Sequence, residues 1–456
     1  MAATRQTDRD GAASTNRLDD NDLPDRYENL DELASSAPPR RNAQTSLEDI
    51  RRDQAELQSH SSPTTENPAR LADTTSTPQP HFSKLATQLY THSYLVFFSI
   101  LGTLARIGLS SLTKYPGTPI AYSTLWANFA GSLVLGFLVE DRKLFRHEWG
   151  TPTYGQKIDL TRSKAKAGDE ENGTAVGSGN SSRPPVDVVA AKKVHLATKK
   201  TIPLYIGLAT GFCGSFTSFS TFIRDAFLAM SNDLNTSGDS QPPRSRNGGY
   251  SFMALLAIII THVCLSLSGY IAGIHAAGAV EACTPAMPFK FMRKVVDPVM
   301  AVVAWGCWLG AVLMAIFPPH DFWRGRAAFA IVFAPIGCLL RFYLALYLNA
   351  RIPSFPLGTF VANVLGTAIL GVAWDVAHIP AGGLITCQVM QGLEDGLCGC
   401  LTTVSTWVSE LSSLRRRHAY VYGALSVLVA FALSVATMGG LRWSEGFDTM
   451  AASLEV

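Results

Sequence analysis

Two arginines, two asparagines and two clusters of glycine, serine and threonine recur in register along this chain of 456 residues. The first set runs from Gly102 to Arg106, then Asn128, Gly131 and Gly136, then Gly211, Gly214, Thr217, Ser218, Phe219, Ser220, Thr221 and Phe222. The second runs from Gly337 to Arg341, then Asn363, Gly366 and Gly371, then Gly396, Gly399, Thr402, Thr403, Val404, Ser405, Thr406 and Trp407. The Arg, Asn and neighbouring glycine positions keep an offset of 235, and the clusters keep one of 185. All of them stand inside apolar stretches, where polar groups are expensive and usually functional. A doubled polar signature there points to a two-fold pathway through a membrane.

The residue types limit the chemistry. Asn128 and Asn363 each offer two donors for an anion and one carbonyl for a cation. The competing role is a helix–helix hydrogen bond beside a small-residue interface. The register with an arginine favours a pathway role. Arg106 and Arg341 either draw an anion electrostatically or tie down a neighbouring carbonyl or helix end, and the sequence does not separate the two. In the first cluster the hydroxyls of Ser218, Ser220 and Thr221 form a strip of small donors. Phe219 and Phe222, three apart, share a helix face. Their positive ring edges can replace part of an anion's water, which suits a small, strongly hydrated anion. The alternative is an aromatic core stripe. The second cluster supplies Thr403, Ser405, Thr406 and Trp407. Glu394 and Asp395 have no acidic counterpart in the first set, which has Ala209 and Thr210.

These residues need membrane-spanning elements to position them. Windows long enough to cross a bilayer predict an all-α membrane protein with nine spans, near 94–113, 120–139, 202–230, 252–274, 297–317, 327–349, 356–374, 382–410 and 420–440. The third and eighth are interrupted by Gly, Ser and Thr. Unwound backbone at membrane depth is tolerated only where protein or a cavity surrounds it, so these two are the expected pathway elements. Four spans form each repeat, over 91–277 and 325–442. The unmatched fifth, within 290–320, reverses the second repeat and gives two inverted four-helix repeats in one chain. Placing the N-terminus in the cytoplasm puts twelve Lys/Arg of loop 140–201 and the run Arg415 to Arg417 inside, as the positive-inside rule requires.

Residues 1–90 are polar and poor in large apolar side chains, so they are expected to be disordered. The 443–456 segment is read as a short tail. No apolar run follows Met1, so no cleaved signal peptide is expected. A net charge of +2 gives no case for nucleic acid. The eight cysteines form no C-x-x-C pair or zinc spacing and are read as packing residues. Phosphate loops and the common hydrolase motifs are absent, which argues against an enzyme.

Taken together, the motifs resemble the CrcB/Fluc fluoride-channel family, in its fused eukaryotic form, the FEX fluoride exporters. The family's third-span pattern, G-F-x-G-G-x-T-T-F-S-T-F, matches Gly211 through Phe222. Its G-x-x-x-R matches Gly102 to Arg106 and Gly337 to Arg341. Its G-T-x-x-x-N-x-x-G matches Gly358 through Asn363 to Gly366, with Ser123 replacing the first Gly in the first repeat. The resemblance covers about 94–440. It implies passive, potential-driven export of fluoride across the plasma membrane, by a chain that lies among membrane lipids and works as a monomer. It also implies a structural sodium ion on the carbonyls of Gly214, Thr217, Gly399 and Thr402. Val404 and Trp407 depart from the family's two Phe. If each pore takes one aromatic from each repeat, Phe219 pairs with Trp407 in the surviving pore and Phe222 with Val404 in the weaker one. The runner-up is a small multidrug-type or other coupled transporter relying on Glu394. A scaffold or lipid-handling protein without a pore would not need Asn128, Asn363 or the hydroxyl strip.

Overall fold

The computed structural model describes residues 84–113, 115, 118, 124–146, 195–234, 246–318, 324–379 and 383–447. The tail up to residue 83, most of loop 140–201 and the last residues of the chain lie outside the described residues. Among the described residues there is no strand. In chain order the helices are α1 (Lys84–Leu112), α2 (Leu125–Glu140), α3 (Pro203–Ser231), α4 (Gly248–Ala279), α5 (Phe289–Ile316), α6 (Phe329–Leu348), α7 (Leu357–Ala377), α8 (384–413) and α9 (Arg416–Ser444).

Seven of these, α1, α3 to α7 and α9, are long and apolar enough to cross a membrane. The 16 residues of α2 span about 24 Å at about 1.5 Å per residue, short of the roughly 30 Å hydrocarbon core. A break divides α8, which also carries Glu394, Asp395 and Glu410. Helix α1 starts at Lys84, inside the stretch read as a disordered tail. Hydropathy overlooks 84–93 because the segment is polar, yet Thr91 and Ser93 satisfy their hydroxyls on the carbonyls of Thr87 and Leu89 one turn back.

Packing sets which helices surround the pathway. Helix α3 is the most buried of the seven and α5 the least. Helices α2 and α4 approach backbone to backbone: a Cβ at Gly136 would collide with the Tyr270 carbonyl, and one at Gly273 with the Leu133 carbonyl. Buried Lys199 closes the C-terminal end of α2, donating to the carbonyls of Leu138 (3.0 Å), Val139 (3.0 Å) and Asp141 (2.6 Å). Helix α5 docks on the first helix of each set. Trp305 Nε1 donates to Ser93 (3.1 Å), the Tyr94 hydroxyl to Asp297 (2.9 Å), and Trp308 Nε1 to the Val332 carbonyl (3.0 Å).

Candidate functional site

Both interrupted spans break in the same way. A π-helical turn, Gly207–Cys213 in α3 and Leu393–Cys398 in α8, leads into one α-helical turn, Gly214–Phe216 or Gly399–Leu401. The chain then extends at Thr217 (φ −96°, ψ 150°) and Thr402 (φ −91°, ψ 155°). Helix resumes at Phe219–Ser231 and Ser405–Ser413, here α3b and α8b. Each break leaves N–H and C=O groups outside the helical ladder, and in a dry interior they must find partners.

The two breaks supply those partners to each other. The Thr402 hydroxyl accepts from the N–H groups of Phe219 (3.2 Å) and Ser220 (3.1 Å), capping α3b. The Thr217 hydroxyl accepts from Val404 and Ser405, both at 3.2 Å, capping α8b. Each threonine also bonds the carbonyl four residues earlier, Cys213 or Cys398. Ser405 Oγ donates to the Cys213 carbonyl at 3.1 Å, and Ser220 Oγ to that of Cys398 at 3.5 Å. Asn128 grips the Ser218 peptide from both sides: Oδ1 accepts from its N–H (2.9 Å) and Nδ2 donates to its carbonyl (3.3 Å). Asn363 does the same for Thr403, at 2.8 and 3.2 Å. Ser218 and Thr403 then cap their own helices through the N–H groups of Thr221 (3.3 Å) and Thr406 (3.4 Å). The hydroxyl strip is therefore largely a capping network. Each asparagine amide has a second hydrogen to offer a ligand.

The arginines tie down carbonyls across the two sets. Buried Arg106, from α1, donates to the carbonyls of Ser215 (2.7 Å), Gly399 (2.9 Å) and Asp395. Arg341, from α6, donates to Cys400 (2.8 Å) and to Thr210 (2.9 Å). Each guanidinium lies on the glycine of the opposite break: a Cβ at Gly214 would overlap Arg341, and one at Gly399 would overlap Arg106.

The aromatic side chains flank this centre. Phe219 meets Phe222 edge-on at 5.5 Å and Trp407 edge-on at 5.3 Å. The structure thus brings together the expected Phe219–Trp407 pair. Trp407 is fully buried and its Nε1 has no hydrogen-bond partner among the described residues. Phe222 lies in the same core cluster as Val404, and its stacking partner is His262 of α4, at 4.7 Å.

Several buried groups escaped the sequence reading. Glu410 accepts from Thr359 and Tyr422, each at 2.7 Å. Its counterpart 185 residues earlier is Asp225, also buried, so aligning the repeats three residues further would have found the pair. His262, a lone histidine in an apolar span, gave no signal. Arg224 sits within α3b and pairs with Asp225 (3.1 Å) and Glu394 (3.3 Å). Outside the spans, burial lowers the Lys200 amine to about 8, against the opposing effect of Glu410.

Comparison with known proteins joins these features to a family. The family model described as CrcB-like protein, Camphor Resistance (CrcB), matches residues 93–274 and 328–440. Fluoride export protein 1 of Neurospora crassa is 56% identical over 379 residues, covering 80% of this chain and 69% of the relative. Fluoride export protein 1 of Candida albicans is 35% identical, covering 78% and 80%. The fluoride-specific ion channel FluC of Pseudomonas paraeruginosa is 33% identical over 128 residues, which is 27% of this chain but 98% of the relative. No solved structure matches. The two matched regions hold the two cross-capped breaks, one in each, and the chain belongs to the CrcB family.

Proposed function

We propose that this protein is a fluoride-selective channel, not an enzyme, and that it exports cytoplasmic fluoride passively, driven by the membrane potential and the ion's own gradient. The observation that carries the reading is the cross-capped pair of helix breaks, flanked by the Phe219–Trp407 contact, in a chain whose curated relatives are named for fluoride export. The N-termini of α3b and α8b bring partial positive charge to the breaks. Ring edges, the second amide hydrogens of Asn128 and Asn363, and the Trp407 N–H offer an anion stepwise replacement of its water. The hydroxyls of Ser218, Ser220, Thr221, Thr403, Ser405 and Thr406 continue that path, with Arg106 and Arg341 lending positive charge from behind the carbonyls.

The reading includes nine spans in two inverted repeats, 91–277 and 325–442, with α5 as the inverting link. It is supported by the reciprocal bonds at the breaks. It further includes a cytoplasmic N-terminus, a plasma-membrane location and function as a monomer. Glu394 is engaged by Arg224, which leaves little support for a coupled transporter built on that carboxylate.

A sodium ion fits the donor set expected for it. Thr217 and Thr402 lie in extended backbone, outside the helical ladder. The Gly399 carbonyl takes one bond from Arg106 and has a second lone pair. With Gly214, these carbonyls would hold the ion as a structural bridge between the breaks. A higher melting temperature in sodium than in N-methylglucamine salts is the expected result, and equal values in the two would exclude the ion.

The channel itself is tested in liposomes containing the purified protein, with a potassium gradient and valinomycin setting the voltage. Fast fluoride release without chloride release is expected. Release that requires a proton gradient, or no release, would overturn the proposal.

A further inference from the structure

The offset that pairs the two breaks also reveals where they differ. One turn beyond Ser220 on α3b lies Arg224, and one turn before Cys398 on α8 lies Glu394. Arg224 Nη1 donates to Glu394 Oε2 at 3.3 Å, and its guanidinium lies 5.2 Å from the Trp374 ring of α7. The equivalent positions on the related side are Ser409, Ala209 and Val139. Three positions on three helices thus change together, from a charged and aromatic set to a small and neutral one. A single coincidental surface charge would not do this. Glu394 is buried, 4% exposed, and Arg224 is partly buried, its side chain 14% exposed.

The two sides also differ at the rung these residues adjoin. Where the flanking residues are Ser409 and Ala209, Ser405 reaches the Cys213 carbonyl at 3.1 Å. Where the ion pair stands, Ser220 reaches the Cys398 carbonyl only at 3.5 Å, while keeping Thr402 at 3.0 Å. The weaker rung is the one with a second tie one turn away. A buried ion pair adds little net stability over a well-packed neutral pair, and its best-attested use is to fix register between packed elements.

We propose that Arg224 and Glu394 are positioning residues: their ion pair sets the register of α3b against α8 and so holds Ser220 at Thr402 on one side of the pathway. This rests on the reading of the hydroxyl strip as a fluoride path. Arg224 is held by carboxylates of both helices and acts through Ser220 rather than on the ion.

The test is a set of full-length variants in the liposome assay, each first checked for a monodisperse folded state. The double variant Arg224→Ser with Glu394→Ala installs the neutral residues of the related side. It also takes the guanidinium away from buried Asp225, so the readout is taken on folded protein, which should release fluoride about tenfold more slowly, a typical coupling between contacting residues, with a lower fluoride-to-chloride ratio. Arg224→Lys, which keeps the charge, should stay near the wild-type rate. Should the double variant not fold, Glu394→Gln carries the test and should slow release with the fold intact. A folded double variant, or Glu394→Gln, with wild-type rate and selectivity would overturn the proposal. Failure of the wild-type chain to conduct fluoride would instead overturn the channel reading, so the two failures are distinct.

Discussion

The centres of the two helix breaks are built alike and their flanks are not. At the centres, Thr217 and Thr402, Asn128 and Asn363, and Arg106 and Arg341 make corresponding bonds, each set serving its own break or the opposite one. At the flanks, the position equivalent to Phe219 is Val404, that equivalent to Phe222 is Trp407, and that equivalent to Arg224 is Ser409. The difference has a physical source. Any break in a helix at membrane depth exposes the same few backbone groups, and few side chains satisfy them. The flanking side chains meet no such uniform demand, so the two halves of one chain are free to specialise there.

The sharpest way to break the comparison is at the arginines. Arg106→Leu removes three charge-assisted bonds to buried carbonyls. At about 1.5–3 kcal/mol for each bond to a charged group, the expected outcome is loss of folded protein, read by fluorescence-detected size exclusion. Arg341→Leu should follow closely, because it also bonds across the breaks. A folded, monodisperse Arg106→Leu variant would mean that the carbonyls do not need the guanidinium.

The flanks should respond unequally. Phe219 touches both Phe222 and Trp407, whereas Phe222 stacks on His262. Phe219→Ile should abolish fluoride export while Phe222→Ile is tolerated, measured as growth of an export-deficient host in fluoride and as liposome efflux. The reverse order would move the conducting path to the Phe222 side.

Much of this arrangement was legible in the sequence because repetition marks what composition hides. The breaks at 217 and 402, the asparagines and the arginines all emerged from two constant offsets, and the helical class from apolar windows. What remained hidden was direction. Nothing in the sequence distinguishes an asparagine that offers its amide to an ion from one that grips the Ser218 peptide. The choice between anion lure and carbonyl tie for Arg106 turned on the partner helix, 293 residues away in sequence at Gly399. Length was misread where polar residues are helical: α1 extends back to Lys84. The Arg224–Glu394 pair was likewise hidden, because its two members lie in different repeats.

The smallest expected effect is the most direct test of reciprocity. Thr402→Val keeps the shape of the side chain but removes the acceptor for the N–H groups of Phe219 and Ser220. Thr217→Val does the same to Val404 and Ser405. Loss of a helix cap costs about 1–2 kcal/mol, and the two hydroxyls make the same kinds of bond at nearly the same distances. The two variants should therefore lower the melting temperature by similar amounts, although one mutation lies in each repeat. The helix each destabilises is the one in the other repeat, so hydrogen exchange should rise in α8b for Thr217→Val and in α3b for Thr402→Val. Exchange rising only in the mutated segment would mean that each repeat caps itself, and the likeness of the two centres would then be one of sequence without exchange of bonds.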